Sequence, residues 1–254
     1  MTHHDMEENV HRLRHNDELA TTLCKRVTAV LQDDGNRPMK THFSDFRADQ
    51  FSFVSDSLLV LENFWSAEER KIFRDAMSGS TWTSLAEMPA VAGAFKNCGN
   101  WIKAEMASSE GQRFMERVGL SCVADYVESF PHITGRHINF NYYSYGSGDC
   151  LSTHDDTDDA YTYAQGKIPP TRRLALATYF HDEWQPDWGG ELILYKKTLD
   201  FQGKTQLEVA QCISPAPGSL VIFTVPQFHR VCRVDALAGN HKRLSIAGWF
   251  MTEH

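Results

Sequence analysis

No Cys-x-x-Cys pair occurs in this chain, and its six cysteines (Cys24, Cys98, Cys122, Cys150, Cys212, Cys232) are scattered singly. That pattern argues against a disulfide framework and fits reduced thiols in a cytoplasm. No run of lysine and arginine appears and the net charge is -8, so a nucleic-acid backbone is not expected as the main partner. No apolar stretch approaches the roughly 18 residues a membrane span needs, and the N-terminus is too polar for a secretory leader. Repeats and low-complexity tracts are missing as well. What is present is ordinary: 254 residues, 42% hydrophobic and 23% charged, which suits one large globular domain with a helical preface.

The preface is residues 1–55, where Leu13, Leu19, Leu23, Val27, Val30 and Leu31 recur at roughly helical spacing before Asp33-Asp-Gly-Asn-Arg-Pro38 ends the pattern. The His3-His4 pair reads as part of a flexible terminus. Residues 56–254 form the main domain. Leu58 to Glu62 reads as a strand, and Ser66-Ala-Glu-Glu69 has the form of a capping box opening a helix to about Met77. A second helix is predicted over Phe95 to Met106. A third is predicted from Ser109, with Phe114, Val118, Cys122, Val123 and Val127 as its buried stripe. These helices are expected to buttress one outer face of a sheet.

From His137 the hydrophobic period changes to two. Asn139, Asn141, Tyr143 and Tyr145 alternate with Ile138, Phe140, Tyr142 and Ser144, so one face is polar enough to line a wet pocket. Strands are also expected over Arg172–Phe180, Glu191–Tyr195, Leu207–Ile213, Leu220–Phe223 and Arg243–Phe250. Eight or so strands without intervening helices predict a mainly β fold with flanking helices, a double-stranded β-helix or jelly roll.

Chemistry gathers in Leu151-Ser-Thr-His-Asp-Asp156. Read as a strand, this stretch puts His154 and Asp156 on one face. His229, in Pro226-Gln-Phe-His-Arg230, offers a third ligand, and fourteen residues later Arg243 opens the last strand. Two histidines and one carboxylate make the facial triad of non-haem iron enzymes, with positions left open on the opposite side. Arg243 shares a face with Ser245, Ala247 and Trp249, while Lys242 should point away. Trp249 is expected to wall the pocket, and Thr178 or Tyr179 to touch a co-substrate. His181 and His241 read as surface or loop histidines, and Leu237–His241 as a hairpin loop. Asp155, Asp158 and Asp159 form an acidic loop at the mouth, either simply solvated or receiving a cationic substrate group.

His-x-Asp, a distal His, then Arg on a final strand resembles the Fe(II)- and 2-oxoglutarate-dependent dioxygenases. Tyr145-x-x-Gly-Asp-x-Leu-x-x-His-x-Asp156 and the Trp-rich loop with Gly189-Gly190 are similar to their prolyl-4-hydroxylase-like branch. The resemblance covers roughly residues 137–252. It implies Fe(II) on His154, Asp156 and His229, and 2-oxoglutarate held by Arg243, Ser245 and Tyr145. O2 is the oxidant, and ascorbate is a plausible reductant. A guanidinium suits the distal carboxylate because it offers two parallel hydrogen bonds. Related halogenases lack the Asp, so Asp156 points to hydroxylation. The expected substrate is an amino-acid unit, either a free amino acid or similar small molecule, or a prolyl-type residue in a protein. The chain is expected to act as a monomer or homodimer in the cytoplasm, without nucleic acid or membrane. Three alternatives share the barrel: a non-catalytic metal-binding module, a demethylase similar to AlkB, and another metal-dependent cupin. The acidic balance counts against the second, and the full set of triad plus arginine against the first.

Overall fold

The computed structural model of the protein describes residues 58–119, 121–128, 130, 133–157 and 171–252. The predicted helical preface over residues 1–55, the His3-His4 pair, and Asp158 and Asp159 of the acidic loop lie outside the described residues.

Strand β1 (Leu58–Leu61) leads to helix α1 (Ala67–Ser78). The predicted capping box is present: Glu69 N donates to Ser66 Oγ at 3.0 Å, and Ser66 N donates to Glu69 Oε2 at 2.7 Å. This satisfies two of the donors that a helix start leaves orphaned. After β2 (Thr83–Ser84) and the short helix α2 (Pro89–Ala94), the expected helix over Phe95–Met106 does not form. Residues Ile102–Glu105 are instead strand β3. Asn97 and Gly99 take left-handed backbone angles (φ 59° and 80°), which break a helix. A Cβ on Gly99 would lie 2.8 Å from Asp149 Cα, so the tight approach needs glycine. The long helix predicted from Ser109 is two helices, α3 (Ser108–Val118) and α4 (Ser121–Glu128), broken after Gly119.

From Ile133 onward the described chain is β-structure, as its period predicted. Strands β4 (Ile133–Tyr145), β5 (Leu151–His154), β6 (Thr171–Tyr179), β7 (Leu192–Leu199), β8 (Thr205–Ile213), β9 (Leu220–Thr224), β10 (His229–Val231) and β11 (Arg243–Thr252) follow. They build two antiparallel sheets. The larger runs β1-β9-β6-β11-β4-β3-β2 and the smaller β5-β10-β7-β8. Among the described residues the two do not close through hydrogen bonds into one barrel. The Leu237–His241 segment is not a hairpin loop. It carries the chain from β10 in the small sheet to β11 in the large one.

One buried cluster joins Phe73 and Met77 of α1 and Phe114, Val118, Val123 and Val127 of α3 and α4 to the large sheet's Leu174, Leu176, Leu220, Ile222 and Ile246. The opposite face of the large sheet looks toward the small one. There Ala175, Tyr179, Val221 and Phe223 meet Leu192 and Leu194. The functional side chains lie in this inter-sheet space.

Candidate metal and co-substrate site

His154 ends β5 and His229 begins β10, and the antiparallel register sets them directly opposite each other. Their ring centroids are 4.2 Å apart. Each Nδ1 sits 2.7 Å from the carbonyl of the residue two before it, Ser152 or Gln227. A carbonyl only accepts, so Nδ1 carries the proton and Nε2 of the neutral ring is a lone pair. Both lone pairs face Asp156: His154 Nε2 is 3.3 Å from Oδ1, and His229 Nε2 is 3.5 Å from Oδ2. Asp156 does not reach this place by strand alternation. It lies beyond the end of β5 with a left-handed backbone (φ 61°), which an Asp tolerates better than most residues. Its carboxylate is buried, which raises its pKa. The neighbouring imidazoles, His154 foremost, and a hydrogen bond from Trp249 more than offset this and leave it at about 2. Burial, reinforced by His154, lowers His229 to about 4 despite the opposing pull of Asp156. At neutral pH His229 and Asp156 thus present a lone pair and a negative carboxylate to one another. Such a set of converging acceptors suits a cation, and ligand atoms of all three residues lie within 4.8 Å of each other.

Arg243 is 2% exposed. Its Nε donates to Gly190 O at 2.8 Å and its Nη2 to the Tyr179 hydroxyl at 3.2 Å. Its guanidinium carbon lies 4.7 Å from the Tyr179 ring and 5.5 Å from the Tyr145 ring. Gly190 takes φ 73°, and a Cβ there would press on Arg243 Cδ at 3.0 Å. Among the described residues no carboxylate pairs with this buried cation. Tyr145, opposite Arg243 in the β4–β11 register, is stacked on Trp101 at 5.7 Å. Burial drives its phenol well above the ordinary range, so it stays a neutral donor. The hydroxyls of Tyr145 and Ser245 make no hydrogen bond to described residues. A buried guanidinium beside neutral hydroxyls is a receptor for a carboxylate.

Several expectations resolve here. Tyr179, not Thr178, faces the arginine; Thr178 instead donates to Ser219 O and accepts from Trp65 Nε1. Lys242 is exposed. His241 is exposed against Trp188, whereas His181 is a buried loop histidine, with Nε2 2.7 Å from Pro215 O. Neither joins the triad. Trp249 does more than wall the pocket, since its indole N–H donates to Asp156 Oδ2 at 2.8 Å. Asp149 in the Gly-Asp step caps the turn before β5, accepting from Gly146 N and Asn100 N. Arg172 was missed, and its guanidinium carbon covers the Trp249 ring at 3.8 Å. Apart from the Gly146–Asp149 turn, these contacts join residues distant in sequence, so local pattern gave no sign of them. A separate cavity of about 760 Å3 lies between α1 and β3, lined by Asp75, Lys103, Glu105 and Glu110 among others, and includes none of these site residues.

Comparison with known proteins agrees with this geometry. Residues 140–251 match the family model of the 2OG-Fe(II) oxygenase superfamily. Prolyl 3-hydroxylase OGFOD1 of Mus musculus is 34% identical over 104 residues, 40% of this chain and 16% of that protein. The chain therefore corresponds to only a small part of that relative's length. A Pseudomonas putida prolyl-4-hydroxylase structure superposes with a TM-score of 0.51 at 15% identity, covering 80% of this chain and 96% of that one, which shows the fold. The chain is thus similar to 2OG-Fe(II) oxygenases of the prolyl-4-hydroxylase-like branch. The matched segment holds His154, Asp156, His229, Arg243, Ser245 and Tyr145. Such a match implies Fe(II), 2-oxoglutarate and O2 as the reaction's metal, co-substrate and oxidant.

Proposed function

We propose that the chain is an Fe(II)- and 2-oxoglutarate-dependent hydroxylase acting on an unactivated C–H of an amino-acid unit. The observation that carries this is the convergence of two imidazole lone pairs and one ionised carboxylate on a single point. In this reading His154, Asp156 and His229 hold the iron, and Arg243, Ser245 and Tyr145 hold 2-oxoglutarate. The bound metal, with 2-oxoglutarate and O2, supplies the oxidising power, leaving succinate and CO2 as co-products. The protein's own part is placement. Arg243 fixes the far carboxylate in a buried, water-poor space, and the neutral Tyr145 phenol donates without adding charge. The similarity to a prolyl 3-hydroxylase favours a prolyl-type residue in a polypeptide over a free amino acid. The same reading takes the two sheets as the halves of a double-stranded β-helix, with residues 1–55 packed on it, in a cytoplasmic monomer or homodimer.

The test is succinate release by purified protein with Fe(II), ascorbate, 2-oxoglutarate and O2, across free amino acids and proline-containing peptides. Stimulation by a peptide, lost in His154→Ala, is the expected result. No succinate from protein shown to bind iron would instead indicate a non-catalytic binding module.

A further inference from the structure

We propose that Trp249 is a positioning residue for the metal centre, its indole N–H holding Asp156 so that Oδ1 is the oxygen left to the metal. This rests on the metal reading given above. The three candidate ligands are not fixed in the same way. His154 and His229 stand in paired strands, and each imidazole is aimed by a backbone carbonyl two residues away. Asp156 lies past the end of its strand, on left-handed backbone. Among the described residues no backbone N–H donates to its carboxylate. Among the described residues the Trp249 indole N–H, 2.8 Å from Oδ2, is the donor that hydrogen-bonds it. Arg172 Nη1 stands at 3.9 Å from Oδ1, an ion-pair distance rather than a hydrogen bond.

Trp249 is well placed for this task because it belongs to the other sheet. It lies mid-strand in β11, paired with Asn139 on one side and Ala175 on the other. The guanidinium of Arg172 covers its ring at 3.8 Å and restricts its rotation. A carboxylate free to turn can offer both oxygens to one metal and occupy an extra coordination position. A hydrogen bond to Oδ2 spends one of its lone pairs and favours one-oxygen ligation through Oδ1. Positions for 2-oxoglutarate and O2 then stay open, as a three-ligand centre requires.

The test uses Co(II) as the probe, with the full chain, in Trp249→Phe and Asp156→Ala variants. Phenylalanine keeps an aromatic ring under Arg172 and removes the N–H. Trp249→Phe is expected to weaken Co(II) binding by about 10–100-fold. It should also change the visible absorption of the Co(II)-loaded protein, which reports coordination number, with an unaltered far-ultraviolet circular dichroism spectrum. Asp156→Ala should weaken binding further. Wild-type affinity and absorption in Trp249→Phe, with binding lost in Asp156→Ala, would overturn the positioning role alone. Weaker binding with an unchanged spectrum would overturn it too, because that is the effect of a merely structural residue. Wild-type binding in Asp156→Ala would instead overturn the metal reading, and this inference with it.

Discussion

The two sheets share one site but are built differently. The large sheet is buried on both faces at its centre: Leu174, Leu176, Leu220, Ile222 and Ile246 pack under the helices, while Ala175, Tyr179 and Val221 face the small sheet. The small sheet buries Leu192 and Leu194 against the large one, while its β8 strand is largely exposed. Its hairpin β7–β8 runs on past the row holding His154, His229 and Leu194. Beyond that row Val209 is 59% exposed, and Phe201 at the turn is 95% exposed. The small sheet carries both candidate histidines, and the large sheet carries Arg243, Tyr145 and Trp249. The candidate metal-binding histidines are thus set in the thinner, more open layer, and the buried guanidinium is set in the layer covered on both faces, called the rigid layer below. The layer covered on both faces keeps the Arg243 guanidinium 2% exposed.

The largest expected effect falls on the thin layer. His229→Ala should abolish 2-oxoglutarate turnover, by more than about 100-fold, since even residues that merely orient metal ligands cost 10–100-fold. Its far-ultraviolet circular dichroism should stay that of the wild type. A variant with full turnover would remove the small sheet from the chemistry altogether.

The matching change in the rigid layer is Arg243→Lys, which keeps the charge but loses the planar fork. Losing a charge-assisted hydrogen bond costs about 1.5–3 kcal/mol. The KM for 2-oxoglutarate should therefore rise about 10–100-fold, with a smaller change in kcat. An unchanged KM would mean that Arg243 serves packing only, through Gly190 and Tyr179.

Stability should divide the sheets in the opposite sense. Leu176→Ala in the buried large sheet is expected to cost about 2–5 kcal/mol in urea unfolding. Val209→Ala on the exposed hairpin should stay within about 0.5 kcal/mol. Similar costs for the two would show that the hairpin is covered in solution and that the contrast between the layers is false.

These differences also decide what could be read from the sequence. Where a strand is half-buried, its period of two is written locally, and the strands after Ile133 stood close to their predicted places except β10, which was not foreseen. The triad was legible because residue types and order suffice for it. Its geometry was not: Asp156 converges through a left-handed residue past the strand end, not through alternation. The segment Phe95–Met106 looked helical because its hydrophobic spacing says nothing of Asn97 and Gly99, whose left-handed backbones break a helix, Gly99 against Asp149. The contacts of Trp249 with Asp156 and of Arg172 with Trp249 span 93 and 77 residues, and no local pattern encodes them. His181 is the loop histidine expected, but its burial was not legible, since that depends on what packs over it, here Tyr179 and Trp184.

His181 gives the subtlest test of the rigid layer. It follows β6 directly, and burial holds it neutral, down at about 3 in spite of its hydrogen bond to Pro215. In the unfolded chain a histidine titrates near 6.5. Between those values the unfolded state binds the extra proton, so stability falls as pH drops from about 6.5 toward 3. From pH 6.5 to pH 5 this one group should remove about 2 kcal/mol. His229 and Asp156, both lowered, act in the same direction, His229 below about 6.5 and Asp156 below about 4. Urea unfolding of wild type and His181→Gln at pH 7 and pH 5 separates the contributions. The variant should lose less stability on acidification. Equal losses would mean that the acid sensitivity resides in His229 and Asp156 and that the rigid layer is indifferent to pH.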